Sequence, residues 1–305
     1  MKYFSEFLLS LVCLMFSGNI ASAGDDGFRF NLVRHACLNS VGNVGWNRNY
    51  LGECGTFTDL DLHGQVLTTL NLQGLRLLLG DAFTSNFTNT DFSNADFSWS
   101  DGLNADADFT GAKLRGAQFH NANMPSSIFV GAQLEKANFI NSKFKDSNFS
   151  NVSSVGIDFS FALLANSSFE NSNLSFSSFE NACLTSARFN NSILSDVQFQ
   201  GAKLEVATFF GAKISRISFR NQDLAFTNFA NTLLSAVDFS GADLHGAIFT
   251  GAQLSNSTTF KGAKYYMGGT EGMKTKLPFS RETADAMGMI CLKNGLDSQP
   301  CDPLP

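Results

Sequence analysis

The chain has 305 residues, of which 44% are apolar and 16% charged, a composition sufficient for a packed core and too apolar for general disorder. No apolar stretch reaches the roughly 18 residues of a membrane span, and 21 basic against 27 acidic residues argue against binding to a nucleic-acid backbone. Phenylalanine accounts for 32 residues, against two tryptophans and four tyrosines. One structural environment is therefore expected to recur many times.

Residues 1–23 are predicted to be a cleavable signal peptide. Lys2 precedes an apolar stretch from about Phe7 to Phe16, and the small residues Ala21-Ser22-Ala23 come directly before Gly24. A buried N-terminal helix is the alternative, but the apolar run is short and ends at small residues. We therefore expect an exported protein, periplasmic or secreted, from a bacterial host.

Residues 24–55 lack the periodicity of the following segment and are predicted to form an N-terminal cap. Cys37 and Cys54 lie here, and an oxidising compartment would favour a disulfide between them. A metal site that includes His35 is the alternative, although no fourth ligand is apparent.

Residues 56–260 carry an apolar residue at every fifth position. The series begins at Phe57 and is regular from Phe109 to Leu254, where only Ser154 interrupts it. A five-residue period fits neither the two-residue alternation of a strand nor the roughly 100° advance per residue of a helix. Each unit is therefore predicted to be one short extended side of a coil, with its central residue pointing inward.

A second period indicates four sides in each coil. Alternate central residues are phenylalanine and the others are mostly leucine, so four sides keep each stacked column uniform, whereas three would mix the two types. The prediction is an all-β solenoid of square coils. Its structural core includes a column formed by Phe109, Phe129, Phe149, Phe169, Phe189, Phe209, Phe229 and Phe249.

The repeated units resemble those of pentapeptide-repeat proteins. Ala242-Asp243-Leu244-His245-Gly246 and Asn94-Ala95-Asp96-Phe97-Ser98 are similar to the A(D/N)Lxx unit of that family. The resemblance covers about two thirds of the mature chain and implies a right-handed quadrilateral β-helix. It implies little about function, because the family is functionally diverse. The chain differs from members that imitate duplex DNA, because the acidic and basic residues before its central positions cancel.

Two departures from the repeat predict local irregularities. Two extra residues between Phe97 and Phe109 predict a bulge or short loop around residues 100–106. At Ser154, the flanking Val152 and Ile157 are predicted to fill part of the space that the missing large side chain leaves.

Acidic residues around the predicted loop raise the possibility of a cation site. Asp91, Asp96, Asp101 and Asp106 are spaced to lie on successive sides of the coil, so they would not converge. The register shift could nevertheless gather Asp101, Asp106 and Asp108 around a calcium ion. A solvated acidic face is the competing interpretation, and no metal or cofactor is assigned.

Residues 261–305 are predicted to form a C-terminal cap. Cys291 and Cys301 would form its disulfide, and Ser280 would begin a short helix that Gly288 ends. Because caps cover the ends of a solenoid, they predict a monomer. Cys183 lies outward, directly before core Leu184, and is predicted to be a free surface thiol.

The sequence predicts a non-enzymatic scaffold. No nucleophile paired with a base, phosphate-binding loop or zinc spacing occurs, and His120 and His245 lie about six coils apart. An unknown protein partner would bind flat faces of the coil, although scattered exposed apolar residues are normal. The alternative is a cation-binding or polysaccharide-active β-helix with converging carboxylates. The candidate interaction face consists of Ile128, Phe161, Leu163, Phe176, Ile193, Leu233 and Ile248.

Overall fold

The computed structural model describes residues 56–58, 76–78, 86–100, 107–267 and 274–292. Several predictions concern residues outside these ranges and remain predictions. They are the signal peptide, the cap of residues 24–55, the metal site at His35, the cation site at Asp101 and Asp106, and the pairings of Cys37 with Cys54 and of Cys291 with Cys301, of which only Cys291 is described.

Four short extended sides form each coil, and successive coils pair in parallel. In the regular part a residue bridges the one 20 positions later, as Asp108 does with Ile128 and Ile128 with Asn148. The predicted right-handed quadrilateral β-helix is confirmed. We number its sides by their central residues: side 1 holds Phe109, side 2 Leu114, side 3 Phe119 and side 4 Met124.

Most sides are too short to count as strands, but eight strands in the described part of the chain are long enough. β1 (Thr56–Thr58) pairs with β2 (Arg76–Leu78) 20 residues later. On side 2, a four-stranded parallel sheet is formed by β3 (Ile193–Ser195), β4 (Lys213–Ser215), β5 (Leu233–Ser235) and β6 (Gln253–Leu254). Near the C-terminus, β7 (Lys264–Tyr266) pairs with β8 (Ile290–Leu292).

Stacked phenylalanine rings fill the inside of the tube. On side 1, Phe189 lies 4.9 Å from Phe169 and 5.0 Å from Phe209 between ring centroids, with the planes within 7° of parallel. Rings of side 3 meet those of side 1 edge to face, as Phe179 does with Phe189 at 5.5 Å. All eight phenylalanines of the predicted core column are fully buried.

The corners of the coil are made by the second residue after each central position, which has a positive φ. Asparagine and glycine are frequent there because both tolerate the left-handed region. Asn191 lies over Gly211 of the next coil, and a Cβ added to Gly211 would come within 2.5 Å of the Asn191 Oδ1. The same arrangement joins Asn181 to Gly201, so corner residues of successive coils fit one another.

The register changes at the two ends of the regular block. Asn86 bridges Asp108, a separation of 22 residues rather than 20, which agrees with two extra residues in the predicted loop. A second shift was not predicted: Asp238 bridges Thr259, 21 residues later, so one residue is added after Leu254. Phe260 and Tyr265 are fully buried, and the coil therefore continues through β7, past the predicted boundary at residue 260.

Ser154 changes the backbone pairing as well as the packing. Val152, Ser154 and Ile157 are all buried. The hydroxyl of Ser154 accepts a hydrogen bond of 2.6 Å from the N–H of Leu134 in the preceding coil, a position that a backbone carbonyl occupies elsewhere. The polar side chain is therefore satisfied inside an apolar tube, which the sequence pattern did not indicate.

The C-terminal segment closes the tube with the predicted short helix. Helix α1 (Arg281–Ala286) begins after Ser280, whose hydroxyl accepts a hydrogen bond from the N–H of Thr283, and Gly288 follows with a φ of +73°. Ala284 is buried against the core. The hydroxyl of Tyr265 donates to Asp285 at 2.8 Å, and burial, together with this carboxylate, raises the pKa of Tyr265 to about 12.

Candidate interaction surface

Each side presents two outward columns of residues. The leading column contains the residue directly before each central residue, and the trailing column contains the residue directly after it. On most sides whose leading residue is Asp or Asn, its side-chain oxygen accepts the N–H of the trailing residue, as Asp108 does from Thr110 at 2.8 Å and Asn228 from Ala230 at 2.9 Å. Many acidic residues of the repeat thus have a local structural role.

Ile128 and Ile248, two of the predicted interaction residues, share the leading column of side 1. They lie at opposite ends of a ladder that runs through Asn148, Ser168, Arg188, Thr208 and Asn228. Six coils at roughly 4.8 Å each separate them by about 29 Å. Both are half-buried, and together they do not form a patch.

Ile193 and Leu233 share the leading column of side 2, as predicted from their spacing. Their exposed fractions are 39% and 41%. Lys213 lies directly between them in β4, so an ammonium group divides the two apolar side chains.

The remaining predicted residues lie on other parts of the tube. Leu163 is in the leading column of side 4, Phe161 is at the corner between sides 3 and 4, and Phe176 is at the corner between sides 2 and 3. The structure thus distributes the seven residues over three sides and two corners. It does not bring them together on one face.

Corner positions hold a group of bulky apolar residues in an unfavourable conformation. Their φ angles lie between 59° and 63°, where an L-residue with a large or branched side chain is an outlier. They are also between 43% and 63% exposed. The sequence interpretation missed three of them, although each replaces the Gly or Asn of the corner. The group consists of Trp99, Phe161, Phe176, Val206 and Phe226.

Two histidines lie beside exposed corner aromatics rather than beside each other. His120 contacts Trp99 edge to face at 5.9 Å, and its Nδ1 is 2.7 Å from the Ser98 hydroxyl. His245 lies between Phe226 and Tyr266, with ring centroids 5.1 and 4.6 Å away. Among the described residues, no group of three His, Cys, Asp or Glu side chains could hold a metal ion.

A shallow recess opens on side 3 between two coils. Its volume is about 330 Å³, and its walls include Val197, Gln198, Phe199 and Ser218. At its rim, Arg216 donates two hydrogen bonds to Asp196, of 2.8 and 2.6 Å. The hydrogen bond from Arg216 holds the pKa of the Asp196 carboxyl below its usual value. Both charges are satisfied by each other, so the rim offers no poised acid or base.

Side 4 carries the cysteine that the sequence singled out. Its leading column contains Asn123, Lys143, Leu163, Cys183, Lys203, Asp223, Asp243 and Lys264 in successive coils. Cys183 is half-buried and free, between Leu163 and Lys203. The hydroxyl of Tyr266 donates to Asp243 at 3.1 Å, and burial with this carboxylate raises the pKa of Tyr266 to about 12.

The parallel coil and its outward columns define a repeat solenoid, and comparison with known proteins gives its family. Residues 104–179 and 192–265 match the family model described as the pentapeptide repeat region. Through these two segments the chain belongs to the pentapeptide-repeat proteins. A comparison with curated proteins gave no match. Among the described residues, no helix is long and apolar enough to cross a membrane.

Solved structures of the family are similar to this chain. HetL, a pentapeptide repeat protein involved in heterocyst differentiation regulation from the cyanobacterium Nostoc, is 21% identical; the match covers 68% of this chain and 88% of HetL, with a TM-score of 0.37. Full-length QnrB1, a plasmid-mediated fluoroquinolone resistance protein, is 16% identical over 76% of this chain and 97% of its own, with a TM-score of 0.27. A pentapeptide repeat protein of the Arabidopsis thaliana thylakoid lumen is 20% identical over 46% and 68%, with a TM-score of 0.14.

Proposed function

We propose that this pentapeptide-repeat protein is a non-enzymatic scaffold that binds a protein partner through apolar side chains at the corners of its coil. The observation that carries the proposal is the left-handed backbone of Phe161 and Phe176, whose rings are 53% and 63% exposed. A large side chain in this conformation costs roughly 1–2 kcal/mol relative to a favourable one. The exposed ring recovers little of that by burial, and strain at a surface position favours a role in recognition.

In the described residues, no side chains are arranged as a catalytic group. This supports the part of the proposal that describes the protein as non-enzymatic. The acidic residues of the leading columns bind backbone N–H groups, and Asp196 is paired with Arg216. The two described histidines lie about six coils apart. No nucleophile, base and oxyanion-binding groups therefore converge among these residues.

A double substitution at the two corners tests the scaffold function. Phe161→Asn/Phe176→Asn should raise the free energy of unfolding by about 1 kcal/mol per site, since asparagine tolerates this backbone. The same variant should lose the partner that the wild-type protein captures from an envelope extract of its host. Lys136→Asn is the matched control, because Lys136 occupies the same corner column as Phe176 with a φ of 59°. Undiminished capture by the double variant would refute the role of these corners.

We also propose that the protein is exported, on the basis of the apolar stretch and the small residues before Gly24. N-terminal sequencing of the protein recovered from the periplasm or the medium should begin at Gly24. Recovery of the intact chain from the cytoplasm would contradict export and would require the partner to be sought there.

A further inference from the structure

The charged residues in the outward columns of side 4 are basic before Cys183 and mixed after it, where Lys203 and Lys264 accompany Glu205, Asp223 and Asp243. Lys143 and Lys145 lie in one coil on the N-terminal side of Leu163, whereas Glu205 and Asp223 lie in the coils that follow Cys183. Among the described residues, Lys143 and Asp223 have no ion-pair partner within the chain, unlike Arg188 on side 1, which lies 3.8 Å from Glu170. Lys145 lies 3.6 Å from Asp146, so of these charges Lys143 and Asp223 are the ones available to a binding partner.

The order of residues on side 4 is complementary to its own reverse. Consider a second copy whose side 4 faces side 4 of the first and whose coil axis runs in the opposite direction. A two-fold axis through the coil of Cys183 relates the two copies and places their leading columns opposite each other. Coils equally far before and after Cys183 then meet. Lys143, two coils before, opposes Asp223 of the other copy, two coils after, and the contact occurs twice. Leu163 opposes Lys203, whose methylene stem can cover it.

The sizes of the side chains are also complementary in this arrangement. Phe161 opposes Gly201, which has no side chain of its own and over which Asn181 lies. In the trailing column, Lys145 opposes Ala225. Glu205 likewise opposes Ala165, so a long residue meets a small one at each of these contacts. Parallel copies would instead place Lys143 against Lys145 in the same coil, and like charges would repel.

We propose that side 4 binds a second copy of this chain in an antiparallel homodimer whose two-fold axis passes the coil of Cys183. The exposed Phe161 and Leu163, at 53% and 46%, become covered at its centre. Helix α1 closes the C-terminal end of the tube, so a lateral contact, unlike end-to-end joining, leaves the cap in place. The proposal does not depend on a protein partner at the corners, because Phe176 stays exposed in the dimer.

Charge reversal of the purified full chain tests this dimer by sedimentation over a range of concentrations. Lys143→Glu alone and Asp223→Lys alone should each weaken dimerisation by about tenfold or more, since each converts two attractive contacts into repulsive ones. The double variant Lys143→Glu/Asp223→Lys should regain the wild-type affinity within about threefold. An equimolar mixture of the two single variants should form heterodimers, because each chain then meets opposite charges at both contacts.

Cysteine cross-linking reports the position of the axis independently. A short bismaleimide should join two wild-type chains through Cys183 and should fail with Lys143→Glu. Lys213→Glu on side 2 and Asp158→Lys on side 3 are controls that should change neither measurement. A wild-type chain that sediments as a monomer at every concentration would overturn the proposal, as would a dimer that the reversals do not affect or that Cys183 cannot cross-link. Capture of a different protein at Phe176 would be unaffected by these results, whereas capture at Phe161 would compete with the dimer.

Discussion

At the scale of single residues, a core phenylalanine contacts rings above, below and across the tube. Phe189 stacks on Phe169 and Phe209 and meets Phe179 and Phe199 edge to face at 5.5 and 5.7 Å. Each ring therefore connects three successive coils. Its loss would leave a cavity that the neighbouring rings cannot fill without leaving their stacks.

Replacing this ring should be costly. Phe189→Ala is expected to lower the free energy of unfolding by roughly 3–5 kcal/mol, through lost burial and the cavity that remains. Urea denaturation measures the change. Phe210→Ala is the control, because Phe210 is 43% exposed on the outside of the next coil and should cost much less. Equal losses in the two variants would contradict the central position of Phe189.

Two glycines allow the cost of the left-handed backbone at a corner to be measured apart from the cost of a contact with the neighbouring side chain. Gly131 and Gly211 have φ angles of +66° and +69°, so alanine should cost roughly 1–2 kcal/mol at either position. A Cβ at Gly131 meets nothing within 4 Å, whereas at Gly211 it meets Asn191 Oδ1 at 2.5 Å. Gly211→Ala should therefore be more destabilising by about 1 kcal/mol or more.

The difference between the thermal unfolding midpoints of Gly131→Ala and Gly211→Ala measures the effect of the contact with Asn191. In the background Asn191→Ser, where the shorter side chain no longer covers the glycine, the two alanine variants should become equally destabilising. If they already agree in the wild-type background, stacking of asparagine over glycine does not contribute to stability.

At the scale of elements, one pair of coils lacks the regular ladder. Ser178 bridges Gln198 and Ser218 bridges Asp238, but within the described residues Gln198 does not bridge Ser218, nor does Lys203 bridge Asp223. The rings of Phe199 and Phe219 are 5.6 Å apart, whereas other stacked pairs, such as Phe169 with Phe189, lie 4.9 Å apart. The recess on side 3 opens at this place.

Gln222 accounts for this gap. It occupies the inward position where other repeats have a small or β-branched residue. Its amide nitrogen donates to the carbonyl of Phe199 in the preceding coil, while its Oε1 is buried without a hydrogen-bond partner. A side chain of this size keeps the two coils apart, and its unsatisfied oxygen is itself unfavourable.

Replacing Gln222 by a small residue should restore the backbone pairing between the two coils. Gln222→Ala is expected to raise the free energy of unfolding by about 1–3 kcal/mol, because backbone hydrogen bonds form and an unpaired carbonyl is removed. Hydrogen exchange should show faster exchange at Phe199 and Gly201 than at Phe179 and Asn181 in the wild type, and equal protection in the variant. Destabilisation with unchanged exchange would mean that the gap has another cause.

The sequence predicted the elements only as far as its repeat is regular. The two exceptions to its pattern, Ser154 and Gln222, both coincide with interruptions of backbone pairing. A single-residue lapse thus indicates where the ladder changes, but its consequence depends on which polar group reaches which backbone atom. The outward residues of the candidate face obey no period, and their distribution over several sides became apparent only from the registers.

At the scale of the whole molecule, stability should behave as a sum over coils and the contacts between neighbours. Four sides of five residues make 20 residues the natural unit of insertion or deletion, since bridges join residues 20 apart. Removing residues 171–190 joins Glu170 to Asn191-Ser192, which replaces Asn171-Ser172 with the same two residues. Every later side then stays in its own column.

Deletion of five residues makes the contrasting variant. Removing residues 171–175 joins Glu170 to Phe176 and places Phe179 on side 2, in the column of Leu134 and Ser154. Every later core phenylalanine would then continue a leucine column, and the stacks of sides 1 and 3 would end there. We expect the 20-residue deletion to fold with a modestly lower urea midpoint, and the five-residue deletion to lose cooperative unfolding although it removes less of the chain. Far-UV circular dichroism during urea titration distinguishes the two. If the shorter deletion were the more stable one, matching of stacked columns would not be what holds the solenoid together, because chain length alone would then explain the order.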